Sequence, residues 1–233
     1  MIRLAVTGTD TGVGKTMIAR ATAALLASRG LRVAAMKPVE TGVAPGQDPA
    51  DALLLRRSAG ARDPLDDVCP FTFAEPLAPL VAAERARRPV EVEALDAAFG
   101  RLTAGRDAIV VEGAGGLLVP VTGRLSCADL FARWRLELIV VAANRLGAIN
   151  HTLLTVQAAR AAGLSVRCVV LNSLTRETAD LAMQTNADAL TQLLPRVRVV
   201  CWPWLADVDD DAALAAHAEQ LGLGSLQPME QTI

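Results

Sequence analysis

The sequence of 233 residues predicts a three-layer, doubly wound α/β fold around a mainly parallel sheet. Short apolar runs alternate with longer amphipathic segments along the chain, which is the order of a strand–helix–strand architecture. The runs are continuous stretches of Val, Ile and Leu rather than alternating apolar and polar residues, which indicates strands covered on both faces. In such a fold the crossovers are right-handed, and ligands bind beyond the carboxyl ends of the strands.

The predicted elements follow one another without a repeat or a linker, so we expect one domain over residues 1–233. Six apolar runs are predicted as strands, at residues 4–6, 32–36, 108–111, 138–142, 167–171 and 197–201. Seven segments are predicted as helices, at residues 14–28, 51–58, 91–102, 128–134, 149–162, 178–194 and 211–221. Stretches rich in proline and glycine are predicted as loops within the domain, at residues 43–49 and 70–79.

Composition and charge exclude several classes of function. The formal net charge is −2, whereas a nucleic-acid surface usually needs a basic field, so we expect no nucleic-acid partner. The sequence has neither a secretory signal nor an apolar run of the ~18 residues that span a bilayer, which predicts a cytoplasmic protein without a membrane partner. The acidic run at residues 207–211 is interpreted as a solvated helix start.

A glycine-rich loop joins the first predicted strand to the first predicted helix. It reads GTDTGVGKT over residues 8–16, in the strand–loop–helix context of a phosphate-binding loop, or P-loop, although its first glycine stands one residue early. Backbone N–H groups at such a helix start bind phosphate oxygens, the lysine reaches the β- and γ-phosphates, and the next hydroxyl can ligate Mg²⁺. The fold is therefore predicted to be of the P-loop NTPase type, with nucleotide-binding residues Thr11, Gly12, Val13, Gly14, Lys15 and Thr16.

Lysine occurs only at Lys15 and Lys37, and every other basic residue among the 23 is arginine. A compact ammonium that must reach a phosphate is hard to replace by a wide, planar guanidinium, so we expect both lysines to be functional residues. Lys37 ends the second predicted strand and would point into the same crevice as the P-loop. The alternative for Lys37 is an exposed charge that happens to follow a strand.

Two carboxylates are candidates for holding Mg²⁺, a cation that prefers oxygen ligands. Glu112 ends the third predicted strand on the ligand side of the sheet, and the glycines after it, Gly115 among them, allow a substrate to approach the backbone. Asp51 begins a helix after Pro49, where it equally suits stabilisation of the helix dipole. On this pattern alone, Asp48 competes with Asp51 for the metal.

Seven segments, in this order, resemble the dethiobiotin synthetase family. They are VTGTDTGVGKT at residues 6–16, KPVETG at 37–42, DAL at 51–53, FTFAEP at 71–76, VEGAGG at 111–116, LGAINH at 146–151 and WPWL at 202–205. The P-loop and VEGAGG segments are shared with related families, whereas the FAEP and GAINH segments are far more specific. The resemblance spans nearly the whole chain.

The resemblance implies a homodimeric enzyme that converts 7,8-diaminopelargonate, CO₂ and ATP into dethiobiotin, ADP and phosphate. One substrate amine forms a carbamate, whose oxygen attacks the γ-phosphate to give a carbamic-phosphoric anhydride. The second amine then closes the ring and expels phosphate. The family's Mg²⁺ ligands match Thr16, Asp51 and Glu112, which favours Asp51 over Asp48.

The resemblance also implies roles for the other candidate residues. Lys15 and Lys37 match the catalytic cations, which stabilise charge on the transferring phosphoryl group and on the carbamate. The diamine and carbamate would meet Thr11, Lys37, Thr41 and Gly115, the substrate carboxylate would meet Gly147 and, from the other subunit, Asn150, and adenine would meet Asn172 and Pro203.

Two other classes of P-loop protein compete with this interpretation. A ParA/MinD-like ATPase switch would carry a signature lysine near the start of the loop, where this sequence has Asp10. A nucleotide-driven amidotransferase of the cobyrinate type would need a glutaminase domain, for which the chain has neither the cysteine nucleophile constellation nor the length.

Overall fold

The computed structural model of the protein describes residues 1–176 and 180–223. Its strands are β1 (Ile2–Gly8), β2 (Val33–Met36), β3 (Val39–Thr41), β4 (Phe71–Phe73), β5 (Ala108–Gly116), β6 (Glu137–Ala143), β7 (Val166–Asn172) and β8 (Arg198–Trp202). Six of them form a parallel sheet in the order β2-β5-β1-β6-β7-β8. From β1 the chain crosses to β2 at one edge of the sheet, and β5 later fills the place between them. The chain then adds β6, β7 and β8 in turn on the other side of β1, which is the predicted doubly wound topology.

Helices cover both faces of this sheet. They are α1 (Lys15–Ser28), α2 (Ala50–Ser58), α3 (Leu65–Val68), α4 (Pro79–Arg85), α5 (Val92–Thr103), α6 (Cys127–Arg133), α7 (Ala148–Ala161), α8 (Leu181–Leu193) and α9 (Asp211–Gln220). Leu4 and Val6 of β1 pack with α1, α2 and α9, whereas Ala5 packs in the core shared with α5, α6, α7 and α8. Successive strand residues therefore point to opposite faces, and the three-layer prediction is confirmed.

The segment between β2 and α5 holds structure that the sequence did not predict. β3 and β4 pair in parallel as a separate two-stranded sheet, and α4 begins at Pro79, so the predicted loop at residues 70–79 is wrong at both ends. Three-residue strands are too short to reveal a hydrophobic period in a sequence. This small layer forms one wall of the cavity described below.

The helix predicted at residues 178–194 is present as α8, but its predicted start at Thr178 lies outside the described residues. The described helix begins at Leu181, where the side chain of Asp180 accepts a 2.7 Å hydrogen bond from the Met183 N–H. No helix in the described ranges is long and apolar enough to cross a membrane.

The acidic run before α9 is a helix start, as predicted, but it is not solvated throughout. Asp210 caps the helix by accepting hydrogen bonds from the N–H groups of Ala212 and Ala213, at 2.8 and 3.2 Å. Asp211 instead has a side chain only 25% exposed, paired at 2.9 Å with the buried guanidinium of Arg20. The prediction is wrong for Asp211, because its partner lies far away in the sequence.

Candidate active site

The P-loop turns from the end of β1 into the start of α1. Gly14 precedes the helix with φ = 95°, a left-handed conformation that favours glycine. A Cβ atom at Gly14 would also lie 2.2 Å from Nδ2 of Asn172, so no larger residue fits there. Because Gly14 has no side chain to cap α1, the first N–H groups of that helix are available to an anion, as a phosphate site requires.

The side chain of Lys15 folds back along the P-loop. Its Nζ donates a 3.0 Å hydrogen bond to the carbonyl oxygen of Asp10, and the residue is 7% exposed. Burial lowers the pKa of Lys15, and the nearby Lys37 acts in the same direction, whereas Glu112 opposes them. A second cation and a carboxylate therefore lie within electrostatic reach of the P-loop lysine.

Lys37 joins the two candidate metal-binding carboxylates. Its Nζ lies 2.5 Å from Glu112 Oε1 and 2.8 Å from Asp51 Oδ2. Burial alone would lower the pKa of Lys37, but Glu112 and Asp51 outweigh it and raise that pKa above its ordinary value. The side chain is thus a buried ammonium, and the interpretation of Lys37 as an exposed charge is wrong.

The oxygen atoms at this position fit a magnesium ion. The Thr16 hydroxyl donates to Glu112 Oε1 at 2.8 Å, which brings it beside that carboxylate. Glu112 Oε2 is buried and has no hydrogen-bond partner, so one carboxylate oxygen remains to serve as a ligand. The described residues contain no group of three or more His, Cys, Asp or Glu side chains able to hold a metal. Thr16, Asp51 and Glu112 together offer one hydroxyl and two carboxylates, which are oxygen donors of the kind that suits Mg²⁺ shared with phosphate.

Most of the predicted site residues line one cavity of about 540 Å³. Its walls come from the P-loop, from the ends of β2 and β5, from β3, and from the segment that leads into α4. The predicted residues that line it are Thr11, Gly12, Gly14, Lys15, Thr16, Lys37, Thr41, Asp51, Glu112 and Gly115. Asp48 is exposed and does not line this cavity, so the geometry agrees with Asp51 as the candidate ligand.

Five predicted residues lie outside that cavity. Val13 is buried within the P-loop, and its carbonyl oxygen accepts a 2.9 Å hydrogen bond from Asn172 Nδ2. Pro203 is exposed just after β8. Gly147 and Asn150 are exposed at the start of α7, so in a single chain they do not meet the lysines.

The sequence did not single out Glu40, which also lines the cavity. The residue is 7% exposed, and its carboxylate accepts hydrogen bonds from the N–H groups of Asp51 and Ala52, at 3.1 and 3.0 Å. Burial raises the pKa of Glu40, and these hydrogen bonds lower it in part. An acid directly after Val39, inside the KPVETG segment, is the one sequence signal that could have identified it.

Comparison with known proteins gives consistent results. A family model described as an AAA domain matches residues 3–212. A relative from Anaeromyxobacter dehalogenans is 44% identical, over 94% of this chain and 95% of its own. Relatives from Aquifex aeolicus (37% identical, over 87% and 92% of the two chains) and Bacillus subtilis (33%, over 95% of both) carry the same name, ATP-dependent dethiobiotin synthetase BioD. With a P-loop, a lysine and two carboxylates converging in one cavity, and with this similarity along nearly its whole length, the chain belongs to the dethiobiotin synthetase family.

Proposed function

We propose that the protein is an ATP-dependent dethiobiotin synthase, a ligase of biotin biosynthesis that forms C–N bonds. It takes 7,8-diaminopelargonate, CO₂ and ATP, requires Mg²⁺, and yields dethiobiotin, ADP and phosphate. The observation that carries the proposal is that one cavity joins a phosphate loop, two lysines and a carboxylate pair. Phosphoryl transfer depends mainly on positioning and charge neutralisation, and this constellation supplies both.

The reaction proceeds in three steps. One amine of the substrate adds to CO₂ and loses a proton, which gives a carbamate. A carbamate oxygen attacks the γ-phosphorus of ATP, the bond to the bridging oxygen breaks, and ADP leaves. The second amine attacks the carbamate carbon and loses a proton, and the C–O bond to the phosphoryl group breaks, so that the ureido ring closes as phosphate departs.

The two lysines act in these steps as fixed positive charges. Lys15 is the lysine of the P-loop and stabilises charge on the phosphoryl group in transfer. Lys37 is kept protonated by Glu112 and Asp51, so it donates hydrogen bonds to the carbamate and does not serve as a base. When bound through Thr16, Asp51 and Glu112, Mg²⁺ would neutralise the phosphate oxygens.

Asn172 supports ATP as the nucleotide. Its Nδ2 is engaged by the P-loop carbonyl oxygen of Val13, which fixes the orientation of the amide. Its Oδ1 is buried and has no hydrogen-bond partner, so an acceptor is presented beside the loop. An acceptor suits the exocyclic amine of adenine and disfavours the carbonyl oxygen that guanine carries at the same position.

Exposed apolar side chains near α7 support a homodimer. Leu118, Leu146 and Leu154 are 64, 84 and 57% exposed, and Leu118 and Leu154 line a depression that also includes Thr11. A second copy that covers this surface would hide the leucines and could supply Asn150 to the neighbouring cavity. The homodimer, a cytoplasmic location and a single domain over residues 1–233 remain predictions.

The test is to follow ATP consumption together with product formation. We expect ADP to appear only when diaminopelargonate and bicarbonate are both present, because the phosphoryl acceptor is the carbamate that they form. Mass spectrometry of the product should give dethiobiotin in equal amount to ADP. ATP turnover without dethiobiotin, stimulated instead by a partner protein, would favour a ParA/MinD-like switch.

A further inference from the structure

Helix α2 begins without a local cap. Its N-cap residue is Pro49, and no side-chain hydrogen bond caps the helix from that position. An N-cap side chain normally accepts from the N–H group of the second or the third helical residue, which are Asp51 and Ala52 here. Glu40 takes those two N–H groups instead, from β3 and with one carboxylate oxygen for each.

This substitute cap holds the backbone of a candidate metal ligand. Glu40 accepts a hydrogen bond from the backbone N–H of Asp51. The side chain of the same residue accepts a 2.8 Å hydrogen bond from Lys37 Nζ. Glu40 is itself fixed, because it is 7% exposed and its strand pairs with β4 opposite Thr72. Both oxygens of Glu40 are engaged by backbone groups, so the residue acts on the site through Asp51.

We propose that Glu40 is a positioning residue for the magnesium site. Its carboxylate replaces the missing N-cap of α2 and so holds the Asp51 carboxylate towards Glu112 and Lys37. The inference rests on the proposed function in one respect, namely that Asp51 is a Mg²⁺ ligand. Groups that orient metal ligands without touching the metal change metal affinity by about 10- to 100-fold when they are removed.

The experiment measures Mn²⁺ binding to the ADP-bound protein by electron paramagnetic resonance. We expect Glu40→Ala to weaken Mn²⁺ binding roughly tenfold or more. Adding Pro49→Ser in the same chain should restore most of that affinity, because a serine at the N-cap can accept the N–H groups that Glu40 leaves unpaired. In turnover assays the Glu40→Ala protein should need more Mg²⁺ for half its maximal rate, and its loss of rate should shrink as Mg²⁺ is added.

Two controls separate the possible failures. Glu91→Ala removes an exposed glutamate at the start of α5, away from the cavity, and should leave Mn²⁺ binding unchanged. Asp51→Asn tests the metal site itself, and unchanged Mn²⁺ binding in that variant would refute the ligand assignment of the proposed function. If Asp51→Asn weakens binding but Glu40→Ala does not, only the positioning role fails. Weakening by Glu40→Ala that Pro49→Ser does not reverse would also overturn it, since Glu40 would then act on the metal by another route.

Discussion

Arg20 and Lys37 are both buried cations that face carboxylates. The carboxylates around them differ in how many of their oxygen atoms have hydrogen-bond partners within the protein. Arg20, 3% exposed, donates to Ser58 Oγ at 3.2 Å and to Asp211 Oδ1 at 2.9 Å. Asp211 Oδ1 also accepts from the Ser58 hydroxyl at 2.5 Å, and Asp211 Oδ2 accepts from Arg57 Nε at 3.0 Å. Both oxygens of this carboxylate are therefore bonded within the protein, and the network ties α9 to α1 and α2.

The Lys37 cluster, which consists of Lys37, Thr16, Asp51 and Glu112, is incomplete because one of its buried carboxylate oxygens has no hydrogen-bond partner. Thr16 and Lys37 both donate to Oε1 of Glu112, while Oε2 of the same carboxylate is buried without a partner. Asp51, the other partner of Lys37, has a side chain 39% exposed and faces the cavity. A buried polar atom without a partner costs free energy, and Glu112 lines the cavity, where a bound ligand would offset that cost. The comparison separates a network that stabilises the fold from one that is arranged for binding.

The largest effect that we expect is on catalysis, from a change in the incomplete cluster. Lys37→Gln should lower dethiobiotin formation by at least about 10²-fold, because it removes a positive charge that stabilises the carbamate and the transferring phosphoryl group. Product is measured by mass spectrometry, and circular dichroism checks that the fold is retained. Lys37→Arg should not restore the rate, since a planar guanidinium does not replace a compact ammonium. Near-normal turnover in Lys37→Gln would remove Lys37 from the mechanism.

The next effect is on stability, from a change in the satisfied network. Arg20→Met keeps a long side chain but removes the buried one of the two arginines that pair with Asp211, so the free energy of unfolding should fall by about 2 kcal/mol. Urea denaturation measures the loss, and the rate per folded molecule should stay unchanged. Arg85→Met is the matched control, because Arg85 forms an exposed pair with Glu75 and such pairs contribute about 0–1 kcal/mol. Equal losses in the two variants would contradict the distinction between the clusters.

The sequence revealed the parts of the site that stand at the ends of long elements. Lys37 and Glu112 directly follow predicted apolar strands, and Lys15 lies in the loop that follows another. Parallel strands place their carboxyl ends at one edge of the sheet, so the meeting of these residues could be anticipated. Asp51 could not be separated from Asp48 by local pattern, because both precede or begin the same helix. The structure separates them by the hydrogen bond from Lys37 to Asp51.

The parts that escaped prediction depend on contacts between distant residues. Arg20 and Asp211 are 191 positions apart, and no local period in either helix encodes their pairing. Glu40 caps a helix that starts ten positions later, whereas the capping patterns that a sequence displays lie within one helical turn. Tertiary contacts of this kind become visible only when the fold is known.

The smallest effect that we expect is a pH dependence confined to the satisfied network. Partial burial alone would raise the pKa of Asp211, but the hydrogen bonds from Ser58, Arg20 and Arg57 outweigh it and lower that pKa below its ordinary value. A carboxyl group whose folded pKa is depressed stabilises the protein above its unfolded pKa of about 3.9, and this stabilisation is lost as the pH falls through the folded pKa.

Asp211→Asn removes this titration while it keeps the size of the side chain. We expect the difference in free energy of unfolding between the native protein and the variant to be largest near neutral pH and to shrink below about pH 4. Urea denaturation of both proteins at a series of pH values measures that difference. Other carboxyl groups with lowered pKa values, such as Asp96 and Asp129, titrate in both proteins and cancel. A difference that stays constant down to about pH 2 would mean that the charge of Asp211 does not hold the network together, since the group is protonated in that range in the unfolded chain.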